Sequence, residues 1–320
     1  MNQLIKRQKT NTQHAPHALL MVRPNAFEPN KETAQDNYFQ SQLSYSDIEI
    51  ETIANTAQTE FDQMVSILRS HDIQVYDFET LRNDTPDAVF PNNWLTTHQD
   101  GTVITYPMYC LNRRNERRQD LINWLKQNYY VKEHIDLSYL EHTQDIVEGT
   151  GAMVFDHIAK LAYACLSQRA NALAIENVCK HLGYTPVMFD AHDKQGHSVY
   201  HTNVLMSITS QHVIIATEML AVKDKNRILS TIAQTGKRIF EISALQVSHF
   251  AGNCLEVLDV NGRSCLVISN SAIRSLNQLQ LQILRKNYCL IGINIPTIEL
   301  AGGSVRCMMA GVHLPMRELT

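Results

Sequence analysis

The chain has 320 residues, 44% of them hydrophobic, with a net charge of −4 and a pI near 6.4. That is enough apolar content for a large core in one domain or two, and the acidic balance argues against a nucleic-acid or anionic-membrane surface. No run approaches the roughly 18 apolar residues of a membrane span, and no apolar stretch follows the basic start from Met1 to Thr10. The seven cysteines, 110, 165, 179, 254, 265, 289 and 307, are odd in number and lack CxxC spacing. They read as reduced, buried thiols in a cytoplasmic protein.

In chain order, residues 1–16 are polar and expected to form a flexible N-terminus. His17 to Pro24 is an apolar run closed by proline, which predicts a buried strand entering a loop. Residues 25–47 are polar with few turn signals, long enough for a lid over a site. Ile53, Phe61, Met64, Val65 and Leu68 recur at helical spacing, and Ile73 to Phe78 reads as a strand.

A repeat follows. Asn93-Trp94-Leu95, Gly151-Ala152-Met153, Asn203-Val204-Leu205, Asn253-Cys254-Leu255 and Ser304-Val305-Arg306 each open an apolar strand-like segment, at intervals of 58, 52, 50 and 51 residues. In the first four a second strand comes ten to twelve residues later (Val103, Leu161, Val213, Cys265), across turns such as Gln99-Asp100-Gly101 and Val260-Asn261-Gly262. Amphipathic helices are expected near 113–128, 169–182, 218–234 and 271–287, each followed by a further strand. The fifth unit has its first strand at the C-terminus and takes its remaining parts from residues 17–78. Five ββαβ units predict an α/β fold, a pseudo-symmetric five-bladed propeller around a central site, because one unit cannot bury its own apolar face and a ring can. Residues 17–320 are expected to form that single domain.

Rotational equivalence would aim the residues leading each first strand at the axis, so that Asn92, Asn93, Glu148, His201, Asn203 and Cys307 converge. A nucleophilic thiol needs an acid or base within hydrogen-bond reach, and that group needs an orienting partner. Cys307, His201 and Glu148 supply these three chemistries. Arg306, adjacent to Cys307, would favour the thiolate. The arginine run from Asn112 to Arg118 reads as solvated turn and helix faces.

Val89-Phe90-Pro91-Asn92-Asn93-Trp94, Glu148-Gly149, Leu166-Ser167-Gln168-Arg169-Ala170-Asn171, His201-Thr202-Asn203 and Gly302-Gly303-Ser304-Val305-Arg306-Cys307 together resemble the guanidine-modifying, or pentein, superfamily of arginine deiminases, dimethylargininases and amidinotransferases, which share a five-bladed α/β propeller. The match runs from Arg23-Pro24 to Cys307. The resemblance implies Cys307 as nucleophile, His201 as general acid/base and Glu148 as the group that orients and charges His201.

Two departures point to the substrate. Arginine-using members carry aspartate where Asn93 stands, and arginine deiminases carry one where Asn203 stands. A buried carboxylate is costly without a cation, whereas asparagine offers one acceptor and two donors, which suits a neutral ureido group. The pattern is similar to the citrulline-utilisation hydrolase branch. It implies citrulline cleaved to ornithine, CO2 and ammonia through a Cys-S-carbamoyl intermediate, with no cofactor and no metal. The cluster His192, His197 and His201 offers a zinc reading, but His192 and His197 sit in a polar, glycine-containing loop. Arg169, Arg23 and Arg306 are candidate clamps for the substrate carboxylate. Arginine deimination or amidinotransfer in the same fold, and a non-catalytic binding module, are the competing readings. The expected partner is a small ureido or guanidino amino acid, with no nucleic acid, no membrane and possible homo-oligomers.

Overall fold

The structure, a computed structural model, describes residues 13–41 and 43–317. Its strands form five three-stranded sheets of one design. β1 (Ala18–Arg23) and β2 (Gln74–Glu79) lie parallel; β3 (Leu95–Thr97), β4 (Thr102–Thr105) and β5 (Glu133–Asp136) form the next sheet. β6 (Met153–Asp156), β7 (Leu161–Cys165) and β8 (Thr185–Phe189) follow, then β9 (Met206–Ile208), β10 (His212–Ile215) and β11 (Arg238–Glu241). β12 (Leu255–Leu258), β13 (Ser264–Ser269) and β14 (Cys289–Ile293) make the fifth group, and β15 (Ala310–Val312) joins the edge of β1. In each sheet the first strand pairs antiparallel with the middle one and the third pairs parallel. The C-terminal strand is therefore completed by N-terminal pieces, as the repeat requires.

A parallel pair needs a crossover, and helices supply it. Asp47–Ser70 connects β1 to β2 and buries Ile53, Ala57, Phe61, Met64, Val65 and Leu68 on one face. It begins six residues before the first of these, at a capping box in which Ser46 and Glu49 satisfy each other's backbone N–H. Gln119–Asn128, Ala172–Leu182 and Val222–Gln234 serve the next three sheets. The single helix expected over 271–287 is two, Asn270–Ser275 and Gln278–Asn287, because Asn277 caps the second and breaks the first.

Neighbouring sheets touch through their first strands. β15 lies against β3, β6 against β9 and β9 against β12. Thr97 Oγ1 donates to Gly311 O at 2.9 Å, and Ser207 Oγ meets Cys254 Sγ at 2.9 Å. Val257, Val267 and Ile291 share one apolar core with Leu19, Met21 and Phe61. All seven cysteines are unpaired. No helix among the described residues is long and apolar enough to cross a membrane.

Two expectations change. Residues 1–12 of the flexible N-terminus lie outside the described residues, but His14, Ala15 and Pro16 are buried. His14 Nε2 donates to Ile208 O at 2.8 Å, and Leu258 N to Pro16 O at 3.0 Å; the packed chain starts before residue 17. Nor does a strand run through Ser304 to Met309. Cys307 N bonds Ser304 O at 2.9 Å in a turn, and the strand begins at Ala310.

Candidate active site

The same displacement occurs in other units and builds the site. Short helical turns precede the first strands: Pro91–Asn93, Gly149–Ala152 and Thr202–Leu205. Glu148 and His201 are the residues that open the second and third of these turns. A turn, unlike an extended strand, can aim a side chain along the direction the chain is about to leave. Packing is close: a Cβ on Gly151 would stand 2.2 Å from Asn93 Nδ2 and 2.8 Å from the His201 ring. Gly302, at φ +76, gives the chain leading to Cys307 a left-handed bend pressed against the Asn37 side chain.

His201 Nε2 lies 2.8 Å from Glu148 Oε2, with both side chains buried. Glu148 Oε1 accepts from Tyr109 N at 2.9 Å, and the guanidiniums of Arg169 and Arg113 stand 3.6 and 3.7 Å from Oε2. Burial pushes the Glu148 carboxyl upward, but Arg169, His201 and Arg113 together outweigh it and hold it well below the usual range. Burial lowers the His201 imidazole, and Glu148 partly offsets this. An anion therefore backs a histidine that is readily neutral, the pairing a general base requires.

Cys307 and His201 line one cleft with Asn93, Arg113, Arg169 and Asp87. Two carboxamides touch the sulfur: Asn203 Nδ2 at 3.4 Å and Asn253 Nδ2 at 3.3 Å. Asn253 also donates to Asn203 O at 3.0 Å and accepts from Arg306 N at 3.1 Å. Two N–H donors on a sulfur can hold negative charge there without a neighbouring cation.

The structure thus brings together Cys307, His201, Glu148, Asn93, Asn203 and Arg169. Asn92 sits behind them, Nδ2 bonding Thr150 Oγ1 at 3.3 Å. Arg23 is not at the site: its Nε and Nη2 bond Asp62 at 2.7 and 2.9 Å on the surface, because its strand ends at the rim of the sheet. Arg306 faces away too; Nη1 donates to Met309 O at 3.0 Å and the side chain lines a different cavity. Arg169 reaches the cleft already paired, Nε to Asp36 Oδ2 at 2.8 Å and Nη2 to Asp36 Oδ1. Asp36 belongs to the polar 25–47 segment, whose Thr33 and Asn37 cover the cleft, and Asn37 Nδ2 ties it to Ala301 O at 3.0 Å.

Sequence reasoning left out two groups. Asn253 occupies the same repeat position as Asn93 and Asn203, so its signal was present. Arg113, assigned with its run to solvent, is 3% exposed. It bonds both oxygens of Glu116 at 2.9 Å and Asn93 Oδ1 at 3.1 Å. The i,i+3 spacing of Arg113 and Glu116 was the available sign of an internal pair.

The family match over residues 23–314, with the likeness of the fold to solved structures, places the chain in the guanidine-modifying, pentein, superfamily. The N-terminal domain of ArgZ, an arginine dihydrolase from the ornithine–ammonia cycle in cyanobacteria, superposes with a TM-score of 0.72 at 16% identity, covering 93% of this chain and 98% of that one. A dimethylargininase from Pseudomonas aeruginosa, in complex with citrulline, gives a TM-score of 0.64 at 13% identity over 93% of this chain and 99% of that one. YkgA, an uncharacterized protein of Bacillus subtilis strain 168, is 25% identical over 281 residues, 88% of this chain and 87% of its own. Residues 23–314 match the family of eukaryotic N,N-dimethylarginine dimethylhydrolases, and the chain belongs to that family.

Proposed function

We propose that the protein is a cysteine-dependent hydrolase that cleaves a C–N bond of a small ureido amino acid, citrulline first, to ornithine, CO2 and ammonia. The observation that carries this reading is what the amides leave over. Asn93 Nδ2 and Asn203 Oδ1 are buried without a hydrogen-bond partner, one a donor and the other an acceptor. A ureido group presents a carbonyl and an N–H together and would satisfy both. A guanidinium has donors alone and would leave the Asn93 N–H groups unpaired, at a cost of about 1–3 kcal/mol.

In this mechanism the Cys307 thiolate, held by Asn203 and Asn253, attacks the ureido carbon. The C–N bond to the ornithine nitrogen breaks, and His201, oriented by Glu148 and carrying the proton taken from the Cys307 thiol, protonates that nitrogen as it leaves. A Cys-S-carbamoyl group remains. Water that gives a proton to His201 then attacks it, and the carbamate released decays to CO2 and ammonia. Arg169 is the clamp for the substrate carboxylate, a role open to it once Asp36 moves away. The cleft encloses only about 20 Å³, room for a water or two rather than an amino acid, so the 25–47 segment must open first. Contacts between successive first strands support reading the five sheets as blades of one closed propeller and residues 17–320 as a single catalytic domain; a crystal structure with a solvent gap between two sheets would refute closure.

A panel of citrulline, arginine, homocitrulline and carbamoyl amino acids, with product identification, tests the substrate. Ornithine from citrulline at the highest kcat/KM is the expected outcome, and Cys307→Ala with full turnover would sink the thiol mechanism. The likeness to an arginine dihydrolase favours one second reading, arginine hydrolysed to ornithine. It would be seen as ornithine formed from arginine with citrulline untouched.

A further inference from the structure

A second internal space, of about 50 Å³, lies among β3, β6, β9, β12 and β15 and shares no lining residue with the Cys307 cleft. Four histidines face it. The His157 ring is 4.4 Å from that of His313, 5.6 Å from His14 and 6.3 Å from His98. Nδ1 of His14, of His98 and of His313 is buried with no hydrogen-bond partner. Leaving a buried polar atom unpaired costs about 1–3 kcal/mol, and three such atoms belong to histidines that line this one cavity. Arg306 lines the same space, and among the described residues its guanidinium makes no ion pair; its side-chain bond goes to Met309 O. Glu256 also faces the cavity, but Ser210 and Ser264 engage its oxygens.

These groups decide the class of ligand. An unpaired guanidinium in a low-dielectric space favours an anion. Among the described residues no three His, Cys, Asp or Glu are arranged to hold a metal ion. His98 and His313 can each turn an Nδ1–H toward the cavity. His14 cannot: its Nε2 donates to the Ile208 carbonyl, so the Nδ1 of the neutral ring is an acceptor. An anion that satisfies His14 as well as Arg306 would carry a hydroxyl as well as charged oxygens. The volume suits a few waters or one small ion, not an amino acid.

We propose that this cavity binds a small hydroxyl-bearing oxyanion of the bicarbonate or hydrogenphosphate kind, held by Arg306 and by N–H groups of His98 and His313, with His14 accepting from its hydroxyl. The site stands apart from the hydrolase reading and neither depends on the other. Bicarbonate, phosphate and chloride are titrated separately into the full chain at pH 7.5 and constant ionic strength, by calorimetry and thermal melting. Saturable one-site binding of bicarbonate or phosphate is expected, at least tenfold tighter than chloride. It should weaken at least tenfold in Arg306→Met and change less than twofold in Arg169→Gln. Should Arg306→Met fail to fold by circular dichroism, His98→Phe replaces it, with at least a threefold loss expected. Absence of saturable binding, or chloride binding equally well, would overturn the proposal. So would binding that survives Arg306→Met, or that disappears in Arg169→Gln, which would locate the anion in the Cys307 cleft.

Discussion

Replacing Glu148 with Gln removes one charge and little else. The carboxamide keeps the volume and an acceptor for Tyr109 N–H, but Arg169 and Arg113, 3.6 and 3.7 Å away, lose the carboxylate they share. Removing one partner of a fully buried charge network costs about 3–5 kcal/mol. The lower end applies here, about 3 kcal/mol, because Asp36 still pairs with Arg169 and Glu116 with Arg113. For a chain of this size that lowers the melting temperature by roughly 4–5 °C. The folded Glu148 carboxyl lies well below its ordinary 4.5. Its stabilisation is therefore complete above pH 4.5 and is lost as pH falls from there through the folded value. The gap between native protein and Glu148→Gln should be full at pH 7 and shrink below pH 4.5, in melts followed by circular dichroism. Under the proposed mechanism, citrulline turnover should fall by about 10²-fold or more, since His201 loses the anion that orients it. A variant that melts within a degree of the native protein at pH 7, or a gap that widens in acid, would refute the reasoning.

Asn93→Asp replaces the N–H donor proposed to meet the ureido carbonyl with a carboxylate, and should shift the citrulline-to-arginine ratio of kcat/KM toward arginine by about tenfold or more, roughly 1.4 kcal/mol; an unchanged ratio argues against Asn93 as the reader of the group. Asp36→Ala frees Arg169 and removes one anchor of the covering segment, so limited proteolysis within residues 30–41 should accelerate and substrate KM should drop; unchanged values of both would deny the latch. Asn253→Ala takes one of two N–H donors from Cys307, and iodoacetamide alkylation at pH 7 should slow severalfold, while Asn253→Gln with native alkylation would show that the position of the amide is immaterial. Burial lowers the His98 imidazole from 6.5 to about 4. A neutral buried imidazole stabilises the fold fully above pH 6.5 and progressively less as pH falls to 4, a loss of about 3 kcal/mol at 1.36 kcal/mol per unit. His98→Gln should flatten that limb of the acid-unfolding curve, and an unaltered limb would assign it to other groups.

The order of elements was legible because β-branched runs, turn dipeptides and amphipathic stretches recur about every fifty residues, and a repeat averages out local errors that a single segment cannot. The capping box Ser46-Asp47-Ile48-Glu49 was equally visible and would have started the first helix at its observed position. The break at Asn277 was visible too, as an N-cap residue inside a helical pattern. Direction was harder to read. The repeat located the residues that lead each first strand, but it did not show that they sit in turns rather than in strands. That distinction decides whether a side chain points along the chain's path or across it, and hence that Cys307 and Arg306, adjacent in sequence, face different cavities.

What the sequence hid most completely was charge compensation. Arg113, Arg114, Arg117 and Arg118 form one basic cluster on paper. In the fold they separate: Arg113 is buried against Glu116 and Glu148, Arg114 and Arg117 pair with Glu141, and Arg118 takes exposed Asp120. Each partner choice depends on which way a short helical turn, Asn112–Glu116, rolls against the rest, and hydropathy carries no information about that. The same blindness applies to Arg169, whose availability for the proposed role of carboxylate clamp is set by Asp36, 133 residues earlier. Counting arginines near a nucleophile therefore overstates the free positive charge. At the Cys307 cleft both arginines are already neutralised by carboxylates, while Arg306, which has no acidic partner among the described residues, faces a separate cavity. The guanidinium left without a carboxylate partner thus lies beside the histidines, in a cavity that Glu256 also faces, and not beside the thiol.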